Sequence, residues 1–372
     1  MSVDENVSPY TPLMSQDARV DVIAFYLPQF HPIPENDEWW GPGFTEWTNV
    51  ASARRMFPGH YQPRVPGELG FYDLRLPETR EAQAALAAQY GVTAFCYWHY
   101  WFGAGRRLLE RPFDEVVQSG RPEFPFCLGW ANQTWSGIWH GAPERTLIEQ
   151  TYPGEDDHRA HFEALLPAFT DRRYFRVDGR PLFYVYDPTA LPEAQRFLDL
   201  WRTWAVDAGL PGIYFIAQAW EGRRSSTADF DAFANEKVPS RTVRRRDLLR
   251  RLGRKLGVAP VHSARAFVET MPLGTVDAPS APIVVPGWDN TPRSGAQGVV
   301  LHPPNPAVFE EQVASAVAHV VAPNHNGPRL VLVKAWNEWA EGCYLEPDRR
   351  FGRAYLEALQ QGLACGLETS AR

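Results

Sequence analysis

Short, nearly unbroken apolar runs alternate along the chain with longer stretches whose apolar positions recur at helical spacing. The runs are DVIAFYLPQF (21–30), VTAFCYWHYW (92–101), FPFCLGWAN (124–132), PLFYVYD (181–187), IYFIAQAW (213–220), DFDAFANE (229–236), APIVVPGWD (281–289) and RLVLVKAWNE (329–338). Runs without polar alternation fit parallel strands covered on both faces. Between them lie PETREAQAALAAQYG (77–91), DDHRAHFEALLPAF (156–169), PEAQRFLDLWRTWAVDAG (192–209) and AVFEEQVASAVAHVVA (307–322), with AYLEALQQGL (354–363) closing the chain. These read as helices, the third ending at a glycine suited to a C-cap.

Eight strand candidates interleaved with helices predict an α/β fold, a single-domain (β/α)₈ TIM barrel with long loops after strands one and six. The barrel is expected over 21–364, behind a flexible lead at 1–20 and before a short tail at 365–372. An open doubly wound sheet is the alternative. It predicts a glycine-rich turn after the first strand, and that turn reads YLPQFHP.

Barrel chemistry collects where the strands end. Those ends carry Gln29 and His31; Trp98, His99 and Tyr100; Trp130, Asn132 and Gln133; Tyr186 and Asp187; Gln218 and Trp220; Asn235 and Glu236; Trp288, Asp289 and Asn290; Trp336, Asn337, Glu338 and Glu341. Nearly every end changes from aliphatic to aromatic plus amide or carboxyl. Such a ring suits sugars, whose hydroxyls need polar partners and whose C–H faces stack on rings.

The last end is the densest. In WNEWAEGCYLEPD (336–348), Glu338 and Glu341 stand three apart beside Trp336 and Trp339. A helical turn there would aim both at one cleft. Glycosidic cleavage needs two carboxyl groups, and aromatic neighbours raise a carboxyl pKa as a general acid requires. The alternative is a helix start with solvated glutamates. The loop ENDEWWGPGFTEWTNV adds Trp39, Trp40, Glu46 and Trp47, an aromatic wall or core staples, with Glu46 a further candidate carboxylate.

Composition narrows the picture. The chain has 372 residues, with 14 Trp, 14 Tyr and 21 Phe, and a net charge of −7 that argues against a nucleic-acid partner. Its four cysteines form no CxxC pair and fit a reducing compartment. The N-terminus lacks a basic-then-apolar signal pattern and no apolar stretch is long enough to span a membrane, so a cytoplasmic location is expected. The ten histidines show no metal-binding spacing, and DFD at 229–231 opens a strand, so no metal and no cofactor are expected. The basic stretch KVPSRTVRRRDLLRRLGRKLG (237–257) is either a peripheral contact to an anionic membrane surface or a solvated insertion.

Several longer segments resemble one family. IAFYLPQFHPIPENDEWWGPGFTEWTNV, GHYQPRVPGELGFYDLR, FCYWHYWF, FPFCLGWAN, VDGRPLFYVYDP, PGWDNTPR and KAWNEWAEGCYLEPD together are similar to the WbsX family, glycosyltransferase-like proteins of lipopolysaccharide and O-antigen clusters. That family is related to glycoside hydrolase family 99, endo-α-mannosidase-like barrels. The resemblance runs from about Asp21 to Ala364. It implies a retaining mechanism through a 1,2-anhydro sugar, with Glu338 deprotonating the 2-hydroxyl and Glu341 acting as general acid/base. One motif departs: the family's WANENW reads WANQTW here, placing Gln133 where a glutamate is usual.

The full candidate set is Glu338 and Glu341 as catalytic residues. Tyr26, Gln29, His31, Trp40, Glu46, Trp47, Tyr97, Trp98, His99, Trp130, Asn132, Trp288, Asp289, Asn290, Trp336 and Asn337 are the substrate-binding candidates. The expected partner is an oligosaccharide or polysaccharide of cell-surface glycan metabolism. Hydrolysis, glycan synthesis and non-catalytic glycan binding all remain open at this level.

Overall fold

The computed structural model describes residues 19–137, 142–237, 257–274 and 278–370, together with Pro239 and Gly253. The expected lead, apart from its last two residues, and most of the basic stretch 237–257 lie outside the described residues.

Eight strands form the barrel: β1 (Asp21–Tyr26), β2 (Ala94–Trp101), β3 (Phe126–Trp130), β4 (Arg180–Val185), β5 (Tyr214–Trp220), β6 (Ala232–Glu236), β7 (Ser280–Val284) and β8 (Leu330–Val333). Each pairs in parallel with the next. The ring closes because β1 also pairs with β8, Asp21 opposite Leu330 and Ala24 opposite Val333. That pairing rules out the open sheet.

The connecting helices are α1 (Pro34–Trp40), α2 (Glu46–Ser52), α3 (Pro77–Gln89), α4 (Arg111–Ser119), α5 (Glu155–Phe169), α6 (Ala194–Asp207), α7 (Ala264–Val268), α8 (Thr291–Ser294), α9 (Pro306–Val321) and α10 (Ala354–Ser370). The last helix runs on through residues 365–370, the start of the expected tail. Helices α1 and α2 lie in the first long loop. The cap of α2 is local: Thr45 accepts from Trp47 N, and Thr48 accepts in return from Thr45 N.

Residues alternate between the two faces of each strand. Phe25, Trp98 and Tyr184 come from β1, β2 and β4, so they can meet only inside the barrel. Phe25 stacks on Trp98 with ring centres 4.6 Å apart and meets Tyr184 at 4.8 Å. A buried polar column crosses beside them. Tyr184 donates to Gln218, Gln218 donates to Glu236 at 3.0 Å, and Lys334 pairs with Glu236 at 2.6 Å. The residues between point outward. Tyr26 donates to Gln83 of α3 at 2.7 Å, and Tyr97 packs on Phe113 of α4.

Two apolar runs outlast their strands. In 281–289 the ladder stops at Val284; the next N–H goes to Gln312 at 3.0 Å, and Pro286 has none to offer. In 329–338 it stops at Val333, and Asn337–Glu338 pairs antiparallel with Cys343–Tyr344. Trp336 N still reaches Phe25 O at 2.7 Å, so the chain leaves β8 along the edge of β1.

Asn337 fixes that departure. Its Oδ1 accepts from Leu27 N at 2.8 Å, and its Nδ2 donates to Leu27 O at 3.1 Å and Tyr72 Oη at 3.3 Å. Asn337→Ala strands a buried backbone N–H and C=O, which predicts a loss of about 2–4 kcal/mol in chemical unfolding. A loss below about 0.5 kcal/mol would show that the amide does not staple β1 to the last turn.

Candidate active site

A cavity of about 220 Å³ opens at the C-terminal ends of the strands. Its rings include Trp40, Trp98, Tyr100, Trp135 and Tyr186, and its charged groups are Glu46, Glu338, Glu341, Arg293 and Lys334. Arg293 is the hub. Its Nη2 donates to Glu338 Oε2 at 2.8 Å, its Nη1 to Glu341 Oε1 at 2.8 Å, and its Nε to Glu46 Oε2 at 3.2 Å. All four side chains are nearly buried.

Each partner arrives from a different part of the fold. Arg293 sits on α8, directly after the β7 run. Glu46 opens α2, whose Trp47 packs on Trp339 with ring centres 5.5 Å apart. Glu338 and Glu341 flank a tight 3₁₀ turn, Trp339–Glu341. Trp339 holds that turn by stacking on Tyr344 at 3.9 Å and donating to Glu346 at 2.6 Å. Gly342 ends it at φ +58°, where a Cβ would lie 2.8 Å from Asp289 Cβ. Only glycine meets both the left-handed backbone and that close approach.

Burial pushes the Glu338 carboxyl up to about 7; Glu341 and Glu46 add to the rise, while Arg293 and Lys334 oppose it. Burial works against charge on Lys334, but the Glu236 carboxylate outweighs it and holds its pKa above the ordinary lysine value. The cavity therefore gathers three carboxylates against two fixed cations, one of which already serves Glu236.

Of the sequence candidates, Gln29, Trp40, Glu46, Trp98, Glu338 and Glu341 line this cavity. Others support it from behind. Trp336 is buried against Phe95, Trp47 donates to Tyr72 O at 2.8 Å, and Asn337 binds Leu27. Asp289 is fully buried and accepts from His60, Gln62 and Thr291. Asn290 accepts from Val299 N at 2.7 Å.

The remainder are corrected in position. Tyr26, Tyr97 and His99 occupy the outward face of their strands. His99 Nε2 lies 2.8 Å from His161 Nε2 of α5, and burial holds both rings well below the ordinary histidine pKa. Trp130 donates to Trp101 O at 3.0 Å and packs on Phe197 of α6. Asn132 ties down the next loop, donating to Asp187 O at 2.7 Å and accepting from Asp187 N at 2.7 Å. Trp288 joins a separate apolar cluster with Phe267 and Met271. His31 is buried near Asp73 and Arg75, and burial lowers its pKa to about 4. Neighbouring positions on one strand end cannot all face the mouth.

Sequence reasoning misses Arg293 and Lys334. Lys334 directly follows β8 and is reachable from the strand register. Arg293 carries no local signal beyond closing PGWDNTPR. Tyr100, Tyr186 and Gln133, all strand-end residues, line the cavity, as do Asn36 and Trp135.

The family model described as Glycosyltransferase WbsX matches residues 22–359. The protein WxcX of Xanthomonas campestris pv. campestris, described as uncharacterized, is 39% identical in strain B100 over 96% of this chain and 52% of its own length. In strain ATCC 33913 it is 40% identical over 92% of this chain and 49% of its own length. The chain thus spans about half the length of these curated relatives. Among solved structures, a GH99 endo-alpha-mannosidase from Bacteroides thetaiotaomicron matches with a TM-score of 0.55 at 13% identity, covering 94% of this chain and 98% of that one. A glycoside hydrolase-like protein matches at 0.57 and 15%, covering 96% and 97%. At such identities the likeness shows the fold alone.

The raised Glu338 carboxyl has a consequence for stability. Its folded pKa lies above its unfolded value of 4.5, so its contribution is intact below about pH 4.5 and is lost as pH rises through about 7. Glu338→Gln escapes that loss. Relative to wild type, the variant should gain stability from pH 4.5 to 8, by about 3 kcal/mol at most. Paired denaturant titrations across that range test this, and a pH-independent difference would show that the carboxyl is not raised.

Proposed function

Because the chain belongs to the WbsX glycosyltransferase family, we propose that it is a carbohydrate-active enzyme that opens glycosidic bonds of a cell-surface polysaccharide or its oligosaccharide precursor, with Glu338 and Glu341 as the working pair. The observation that carries this reading is the convergence of three buried carboxylates on Arg293 inside an aromatic-lined cavity. Like charges packed together take up a proton that isolated carboxylates would refuse. Acid/base cleavage needs one proton shared between two carboxyl groups, and the pKa of about 7 at Glu338 provides for it near neutrality.

In the proposed cycle Glu338 takes the proton from the sugar's 2-hydroxyl. That oxygen attacks the anomeric carbon, the glycosidic C–O bond breaks, and Glu341 gives its proton to the leaving oxygen. A 1,2-anhydro sugar results. Glu341 then takes a proton from an incoming hydroxyl, which attacks the anomeric carbon and opens the three-membered ring, and Glu338 returns its proton to O2. Trp98 and Trp40 offer apolar faces to the pyranose.

The incoming hydroxyl decides the outcome. Water gives hydrolysis; a sugar hydroxyl gives transfer, the reading that the family's description favours. A screen of the purified protein against α-linked oligosaccharides, run beside a nucleotide-sugar consumption assay, separates them. Release or exchange of sugar without nucleotide-sugar consumption supports the proposed cycle. Consumption of nucleotide sugar alone would overturn it.

The two glutamates should differ in leaving-group dependence. Glu341→Gln removes the acid and should cost about 10²–10⁴-fold on a natural-type glycan, with much of it recovered on an aryl glycoside. Glu338→Gln should lose activity on both. Wild-type kcat/KM should fall as pH drops below about 7, because Glu338 must be ionised to act as base. Equal rescue of the two variants would contradict these roles.

A further inference from the structure

Arg293 sits in α8, a helix of only four residues. So short a helix has almost no internal hydrogen bonding to hold a side chain in place. The anchor comes from outside. Asp289 Oδ1 accepts from Thr291 Oγ1 at 2.6 Å and from Thr291 N at 3.2 Å, which ties down the first turn of α8. Its Oδ2 accepts from His60 Nε2 and from Gln62 Nε2, both at 2.8 Å, and Arg64 lies 3.9 Å away. Asp289 N donates to Glu341 O at 2.6 Å. One buried carboxylate therefore joins the loop after β1, the helix that carries Arg293 and the turn that carries Glu341.

The polarity of this junction is defined. His60 Nδ1 accepts from Met56 N at 3.1 Å, so the ring hydrogen lies on Nε2 and points at Asp289. The ring is kept in plane by stacking on Phe57 at 4.4 Å. Burial alone would push the Asp289 carboxyl up, but the bond from His60 and the Arg64 charge outweigh it and hold it below the ordinary range. Asp289 thus stays an acceptor on both oxygens across the working pH range, and none of its side-chain partners lines the cavity.

We infer that Asp289, oriented by His60, is a positioning residue that fixes Arg293 between Glu46, Glu338 and Glu341, and that the loop after β1 thereby governs the reactive pair. The consequence for turnover rests on the proposed function; the geometry and its test do not. The groups facing Glu338 are Arg293, Glu341, Glu46, Lys334 and Tyr100. Of these, Arg293 exerts the largest downward pull. If Arg293 drifts, Glu338 should hold its proton to higher pH.

The test is a carboxyl ¹³C NMR titration of glutamate-labelled protein, with the Glu338 signal assigned by its loss in Glu338→Gln. Asp289→Asn keeps an oxygen for Thr291 but turns an amide NH₂ toward the donors of His60 and Gln62. His60→Ala removes the orienting ring. In both, the Glu338 midpoint should rise by about one pH unit or more. His60→Gln, whose amide can donate in place of Nε2, should return it toward wild type. Thr291→Val, which removes a single hydroxyl bond, should give a smaller rise and serves if Asp289→Asn fails to fold. A role confined to packing would lower Tm and leave the midpoint where it is, and that result overturns the inference. The titration uses no substrate, so its outcome stands whether the glycan assays succeed or fail.

Discussion

Three carboxylates cannot be buried side by side without a cation among them, because desolvation and mutual repulsion would protonate them or expel them. In this protein Arg293 is that cation. A guanidinium can serve three acceptors at once because its donors fan out in a plane, one on Nε and the rest on two terminal nitrogens. A lysine could neutralise one charge but could not hold three carboxylates in defined directions. The site is thus built around the donor geometry of one side chain.

That demand explains much of the surrounding fold. Glu46 comes from the loop after β1, Arg293 from the loop after β7, and the Glu338/Glu341 turn from the end of β8. These segments become neighbours because β1 pairs with β8 and closes the ring. Within WNEWAEGCYLEPD nearly every residue has a task. Trp336 fills the core, Asn337 staples the chain to Leu27, Trp339 and Tyr344 stack to hold the turn, and Gly342 lets it pass Asp289. Glu346 collects the bonds of Tyr72, Gln83 and Trp339. Its carboxyl is raised to about 7 by burial, against those donors.

The barrel is legible in the sequence because strands covered on both faces leave continuous apolar runs, and eight of them alternate with helices. Their ends are not, because the runs at 281–289 and 329–338 stay apolar after the ladder stops at Val284 and Val333. Helices α1, α2 and α8 are too short to show a period. At the site, the change from aliphatic to aromatic and acidic residues points to Trp98, Glu338 and Glu341. It cannot say which neighbour faces inward, so it groups Tyr97 and His99 with Trp98. Arg293 is hidden for a different reason. Its partners lie 45, 48 and 247 residues away in sequence, and no local pattern encodes a contact that only barrel closure creates.

The central claim is that Glu338 and Glu341 act as a pair on one anomeric carbon through two successive displacements. The most direct measurement is proton NMR of the anomeric signal in the first-formed product, taken before mutarotation. Whether water or a sugar hydroxyl completes the reaction, two displacements predict a product that keeps the substrate's anomeric configuration. An inverted product would require a single displacement by a water held between the carboxyls, and would contradict the account.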